Sequence, residues 1–143
     1  MDGGKKISVL FLCSANSCRS QMAEGLLKHL GNNRFGVASA GTHPTSLNPM
    51  AAKIMEEIGI DISNQRSKSV DEMLSHKFDY VVTVCDRARE SCPIFPASVV
   101  ALHWDLEDPA EIQENMALQR MAFLRVREKL AALIADFIKS NLD

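Results

Sequence analysis

The feature that most constrains this chain is the nearly unbroken apolar run Ile7-Ser8-Val9-Leu10-Phe11-Leu12, followed at once by a polar turn and a helical pattern. A strand apolar on both faces must be covered on both, which is the position of a central strand in a parallel sheet. The rest of the chain repeats the theme. Met22, Ala23, Leu26, Leu27 and Leu30 recur at helical spacing, and Gly31-Asn32-Asn33 stops that helix. Phe35 to Ala40 reads as a second strand closed by Gly41 and His43-Pro44. Met50 to Ile58 reads as a helix capped by Asn48, with Pro49 at its first position and Gly59 at its end. Asp61 to Ser69 is polar and loop-like, Phe78 to Val84 and Ser98 to Leu102 are the remaining strands, and Pro109 to about Ser140 is helical, as one bent helix or two shorter ones. Strands separated by helices imply right-handed crossovers and an α/β fold: an open four-stranded parallel sheet flanked by helices on both faces, in a single domain over residues 1–143.

Composition narrows the partners. Lys and Arg total 16 against 18 Asp and Glu, a net charge of −2, so no chain-wide field draws this protein to nucleic acid or an anionic membrane. Any anion must be held locally. The apolar run from Ile7 to Cys13 gives way too soon to Asn16, Ser17 and Arg19 for a secretory signal, and no apolar segment has membrane length. The expected setting is a reducing cytoplasm and the expected state a monomer. There the four cysteines are chemistry or core rather than permanent staples.

In an open parallel sheet, ligands bind beyond the carboxyl ends of the strands. Cys13 ends the first strand, Cys85 follows the third and Asp108 lies in the loop after the fourth, so three reactive side chains are expected at one edge. The turn Cys13-Ser14-Ala15-Asn16-Ser17-Cys18-Arg19-Ser20 is an anion cradle: backbone N–H groups running into a helix N-terminus can surround a tetrahedral oxyanion, and Arg19 adds a planar clamp. The same field favours the thiolate of Cys13, which becomes the nucleophile. Ser20 is placed to donate a hydrogen bond to that sulfur, and Asn16 suits the unusual dihedrals of such a loop. Cys18 reads as an incidental small residue on the rim or in the first helical turn.

Cys13 to Ser20 followed by Gln21-Met22-Ala23-Glu24-Gly25, then Ser39-Ala40-Gly41-Thr42, Asp61-Ile62-Ser63, the Cys85 to Cys92-Pro93 segment, His103-Trp104 and Asp108-Pro109, together resemble the thioredoxin-coupled arsenate reductases over nearly the whole chain. That family shares its fold with the low-molecular-weight protein tyrosine phosphatases. Phosphatases of that type usually carry Pro where this chain has Gln21, and tyrosines where it has Ala110 and Glu111. A second pair of thiols separates the two chemistries. Water completes the hydrolysis of a phosphoryl-cysteine, whereas reducing As(V) to As(III) takes two electrons that sulfur must supply.

The resemblance implies this sequence of events, with phosphate and sulfate as competing oxyanions. Cys13 attacks arsenate held by the backbone of Ser14, Ala15, Asn16, Ser17, Cys18 and Ser20 and by Arg19, while Asp108 protonates the departing oxygen. Cys85 then forms a disulfide with Cys13 and releases arsenite; Cys92 takes over Cys85, and thioredoxin reduces the Cys85–Cys92 disulfide. The alternatives are a tyrosine phosphatase or a non-catalytic oxyanion or redox sensor. Zinc is disfavoured, because neither C-x4-C nor C-x6-C is a usual zinc spacing. Neither a metal nor any other cofactor is expected. Family members can bind potassium near the anion loop, which Asn16, Glu24 and Ser39 would allow, but Lys68 replaces a carboxylate usual in that site. Arg87 and Arg89 are candidates to depress the neighbouring thiols. Asp108-Pro109 is also a plain helix start, the four histidines have no assigned role, and Trp104 and Met116 to Met121 read as packing. The stretch from Asp108 to Phe123 is several residues longer than usual.

Overall fold

The computed structural model of the chain describes residues 6–85, 92, 93, 95, 96 and 98–141. Its strands are β1 (Ile7–Cys13), β2 (Phe35–Gly41), β3 (Tyr80–Thr83) and β4 (Val100–His103). They form one parallel sheet in the order β2-β1-β3-β4. The central place of β1 follows from its composition: Val9, Leu10, Phe11 and Leu12 are fully buried.

Among the described residues three α-helices bring apolar stripes to the core: α1 (Arg19–Leu30), α2 (Pro49–Glu56) and α3 (Met116–Ser140). In α3 the buried positions Phe123, Val126, Leu130, Ile134 and Phe137 recur every three or four residues, one face of a 3.6-residue repeat. Phe137 meets Tyr80 edge-on with ring centroids 4.8 Å apart, and Trp104 lies 5.8 Å from Phe11, so Trp104 is the packing group expected of it. Asn48 caps α2 through Met50 N–H at 2.8 Å, with Pro49 in the first turn, and Gly59 takes a positive φ of 80° beyond its end.

Several boundaries differ from expectation. The helical pattern from Pro109 divides: Pro109–Glu111 is one 3-10 turn, and α3 starts only at Met116, where Asn115 accepts from the N–H groups of Ala117 and Leu118 at 2.8 and 3.1 Å. Regular pairing in the third strand covers Tyr80–Thr83 rather than 78–84, and in the fourth Val100–His103 rather than 98–102. A 3-10 turn at Val70–Met73, capped by Ser69, was not foreseen, and an isolated bridge joins Gly41 to Ser69 beside the carboxyl end of β2.

Candidate active site

The loop from Ser14 to Cys18 joins the end of β1 to the start of α1, and its shape is set by where its carbonyls go. Cys13 C=O accepts from Thr42 N–H at 3.2 Å, Ser14 C=O from His43 at 2.8 Å, Ala15 C=O from Thr45 at 3.0 Å and Ser17 C=O from Asn48 at 3.0 Å. Asn16 C=O accepts from Gln21 Nε2 at 2.9 Å and from the Ser67 hydroxyl. In a planar peptide the C=O of one residue is antiparallel to the N–H of the next. Tying five successive carbonyls to the outside therefore turns the N–H groups of residues 14–18 inward, making a nest for a tetrahedral anion at the positive end of α1. Asn16 bears the bend, with φ of 51°, as its side chain permits. Gly41 allows the close approach of β2: a Cβ there would lie 2.5 Å from Ser14 O and 3.0 Å from Asn16 N.

At the centre of the nest is the Cys13 thiol, in a residue only 2% exposed. Asn16 N–H points at Sγ from 3.2 Å, and Ser20 Oγ lies 2.8 Å from it. The direction of that second bond follows from its neighbours. Asn16 Nδ2 donates to Ser20 Oγ at 2.8 Å and to Ser39 Oγ at 3.0 Å, and Ser39 donates to Glu24 Oε1 at 2.6 Å. With a lone pair of Ser20 engaged by Asn16, its own O–H is free to donate to sulfur. The Asn16 amide thus forks, one arm donating through Ser20 to the Cys13 sulfur and the other through Ser39 to Glu24, which anchors it.

Arg19 starts α1 and is held over the nest by donating from Nη1 to Leu106 C=O at 3.1 Å, with Nη2 3.7 Å from Asp108 Oδ2. Asp108 Oδ1 caps the 3-10 turn through Ala110 N–H at 3.0 Å, as its place before Pro109 suggests, and the residue also lines the pocket beside the loop. That pocket, about 480 Å³, is lined by Cys13, Cys18, Arg19, Cys85 and Asp108, together with loop residues and the acidic rim Asp105, Glu107 and Glu111. Cys13 and Cys85 therefore face one cavity, as the strand ends predict. Cys92 does not line it. It opens with Phe95, Val99, Leu102 and His103 onto a separate, largely apolar cavity of about 300 Å³. His103, assigned no role from sequence, is held there by Thr83 Oγ1 at 2.7 Å from Nδ1. Burial raises the Cys92 thiol above its ordinary range. Arg87 and Arg89 lie outside the described residues.

Cys18 is the N-cap residue of α1, 3% exposed, and burial pushes its thiol up to about 11. It stays a neutral thiol beside Cys13. Sequence reasoning missed Gln21, Gln65 and Ser67 as members of the site. Gln21 read only as a missing proline, yet it braces Asn16 C=O, and Gln65 Nε2 in turn donates to Gln21 Oε1 at 2.9 Å. Bonds spanning 44 residues leave no local sequence signal.

The donor set does not fit an alkali cation. Glu24 Oε2 is taken by Lys28 Nζ at 2.6 Å and Oε1 by Ser39, while Asn16 Oδ1 accepts from Lys68 N–H at 3.0 Å. Among the described residues no group of three His, Cys, Asp or Glu is arranged to hold a metal.

Residues 8–142 match the model of the low molecular weight phosphotyrosine protein phosphatase family. An arsenate reductase of Shouchella clausii is 45% identical over 137 residues, covering 96% of this chain and 98% of that one. The chain belongs to the arsenate reductases of this phosphatase family. Among solved structures, an arsenate reductase in its phosphate binding state superposes with a TM-score of 0.68 at 35% identity, covering 91% of this chain and 98% of the other. A Corynebacterium glutamicum thioredoxin-dependent arsenate reductase gives a TM-score of 0.76 at 28% identity, covering 96% of this chain and 63% of its own. The resemblance read from the motifs and the open parallel sheet both hold. No helix among the described residues is long and apolar enough to cross a membrane.

Proposed function

We propose that this arsenate reductase family member reduces arsenate to arsenite with Cys13 as nucleophile, drawing two electrons from Cys13 and Cys85. The observation that carries the reading is the shared cavity: Cys13 in an amide nest, Cys85, Arg19 and Asp108 all face one 480 Å³ space. The Cys13 thiolate attacks arsenic, and one arsenate oxygen leaves as water after protonation from Asp108. Arg19 and the loop amides spread the charge of the remaining oxygens. Cys85 thiolate then attacks Cys13 Sγ. The sulfur–arsenic bond breaks with its electron pair on arsenic, giving arsenite and a Cys13–Cys85 disulfide. In the second exchange Cys92 attacks Cys85 and Cys13 leaves as thiolate. Cys92 lines a different cavity from Cys13 and Cys85. The dithiol of thioredoxin then reduces the Cys85–Cys92 disulfide, a reading supported by the thioredoxin-dependent Corynebacterium relative. Arsenic detoxification in the cytoplasm is the role this chemistry serves.

The pocket wall weighs against aryl phosphate hydrolysis. Asp105, Glu107, Ala110 and Glu111 form its rim, offering carboxylates and a methyl group where an aryl ring would need an apolar or aromatic platform. The test is arsenite release from arsenate with thioredoxin, thioredoxin reductase and NADPH, set beside hydrolysis of p-nitrophenyl phosphate. Sustained arsenite production with weak phosphatase turnover is expected; efficient aryl phosphate hydrolysis with no arsenite would overturn the reading.

A further inference from the structure

The carbonyls of Cys13, Ser14, Ala15 and Ser17 are held by backbone N–H groups, which do not depend on the side chains at those positions. The carbonyl of Asn16 is held differently, by the side chains of Gln21 and Ser67. The orientation of the Asn16–Ser17 peptide is therefore set by side-chain identity, and it follows a residue whose φ of 51° lies in the left-handed region. Turning that peptide over would put a carbonyl oxygen into the nest and take the Ser17 N–H out of it.

Gln21 opposes that turn. It is the third residue of α1, and a helical side chain leans back over the turn before it, so Nε2 reaches Asn16 C=O and donates at 2.9 Å. Gln21 is fully buried, and its amide has a donor end and an acceptor end that a half-turn would exchange. Gln65 fixes which end faces the loop: its Nε2 donates at 2.9 Å to Gln21 Oε1 and at 2.9 Å to Gln21 C=O. Gln65 is itself held, because its N–H donates to Ile62 C=O at 2.9 Å. Ile62 is 1% exposed and packs so closely on α1 that a Cβ at Gly25 would lie 2.5 Å from it.

We infer that Gln21 is a positioning residue for oxyanion binding, locking the Asn16–Ser17 peptide with the Ser17 N–H toward the anion, and that Gln65 acts through it by orienting its amide. The warrant is the series of hydrogen bonds from Gln65 to Gln21 to Asn16 C=O. The inference rests on the loop being the oxyanion site, and not on the arsenic chemistry proposed for it.

Inorganic phosphate is the probe, titrated calorimetrically well below each protein's thermal midpoint, so that lost stability alone leaves the affinity unmoved. Gln21→Met, which keeps the side-chain length without the amide, is expected to bind phosphate about fivefold more weakly, the size of one lost hydrogen bond. Gln65→Met is expected to lose about threefold in the wild-type background and nothing further in Gln21→Met, because its effect passes through Gln21. In 1H–15N spectra, the shift of the Ser17 amide proton at saturating phosphate is expected to shrink in Gln65→Met, although that side chain reaches the loop only through Gln21. Should Gln21→Met not fold, the affinity and Ser17 shift of Gln65→Met decide the matter. Wild-type phosphate affinity in either single variant, an unchanged Ser17 shift in Gln65→Met, or a Gln65→Met loss that persists undiminished in the double variant would overturn the inference and leave the anion site standing. A wild-type protein that binds no phosphate would overturn the site and the inference together.

Discussion

At the scale of single residues, the two thiols of the loop differ in what surrounds them. Cys13 sits among aligned donors, whereas Cys18, its neighbour at the start of α1, is surrounded by protein and pushed up to about 11. Raising an acid's pKa extends its neutral range upward, so at pH 8 only about one Cys18 thiol in a thousand is ionised. Iodoacetamide at that pH is therefore expected to modify Cys13 well before Cys18, and Cys18→Ala to retain near wild-type turnover. Peptide mapping after timed quenching checks the first and steady-state kinetics the second. Ser20 tests the other side of the contrast. Ser20→Ala removes the hydroxyl 2.8 Å from Cys13 Sγ, and losing a hydrogen bond to an anion should slow Cys13 alkylation about tenfold while the fold persists. An unchanged rate in Ser20→Ala would mean that the donor chain ending at sulfur has no effect on its charge.

At the scale of elements, the anion loop is held by the segment that follows β2 as much as by the strand and helix it joins. Thr42, His43, Thr45 and Asn48 donate backbone N–H groups to loop carbonyls, and Gly41 leaves room for that contact. In Gly41→Ala the new methyl meets backbone atoms of Ser14 and Asn16, which cannot yield as a flexible side chain would. A stability loss of about 1–3 kcal/mol is expected, with much weaker phosphate binding in calorimetry; wild-type phosphate affinity in that variant would contradict the account of the nest. This level also marks the limit of what the sequence discloses. The run Ile7 to Leu12 and the helical stripe from Val126 to Phe137 were legible because periodicity and burial are local properties. The break between Pro109 and Met116 was harder to read, since Asp108-Pro109 and Asn115 are both acceptable helix starts and both are used. Gln21, Gln65 and Ser67 were not legible as loop supports, because their partners lie 5, 44 and 51 residues away.

At the scale of the whole molecule, the parallel sheet does what its topology requires. With β1 and β3 adjacent, the residues just past their carboxyl ends share one edge, and Cys13 and Cys85 share one cavity. That placement was foreseeable from the rule that function gathers at the carboxyl ends of parallel strands. The position of Cys92 was not, for its separate cavity is built by β3, β4 and side chains such as Phe95 that pack over them. Two cavities divide the thiols of the proposed relay, one polar and shared by Cys13 and Cys85, the other largely apolar and lined by Cys92.

The most direct test of this relay is a single-turnover experiment on reduced Cys92→Ser protein with excess arsenate and no thioredoxin, counting arsenite released and mapping disulfides by mass spectrometry after an acid quench. The account predicts about one arsenite per protein together with a trapped Cys13–Cys85 disulfide, and no arsenite from Cys13→Ser or Cys85→Ser. Arsenite release from the Cys85→Ser protein at the wild-type rate, or the absence of any Cys13–Cys85 disulfide in Cys92→Ser, would contradict it.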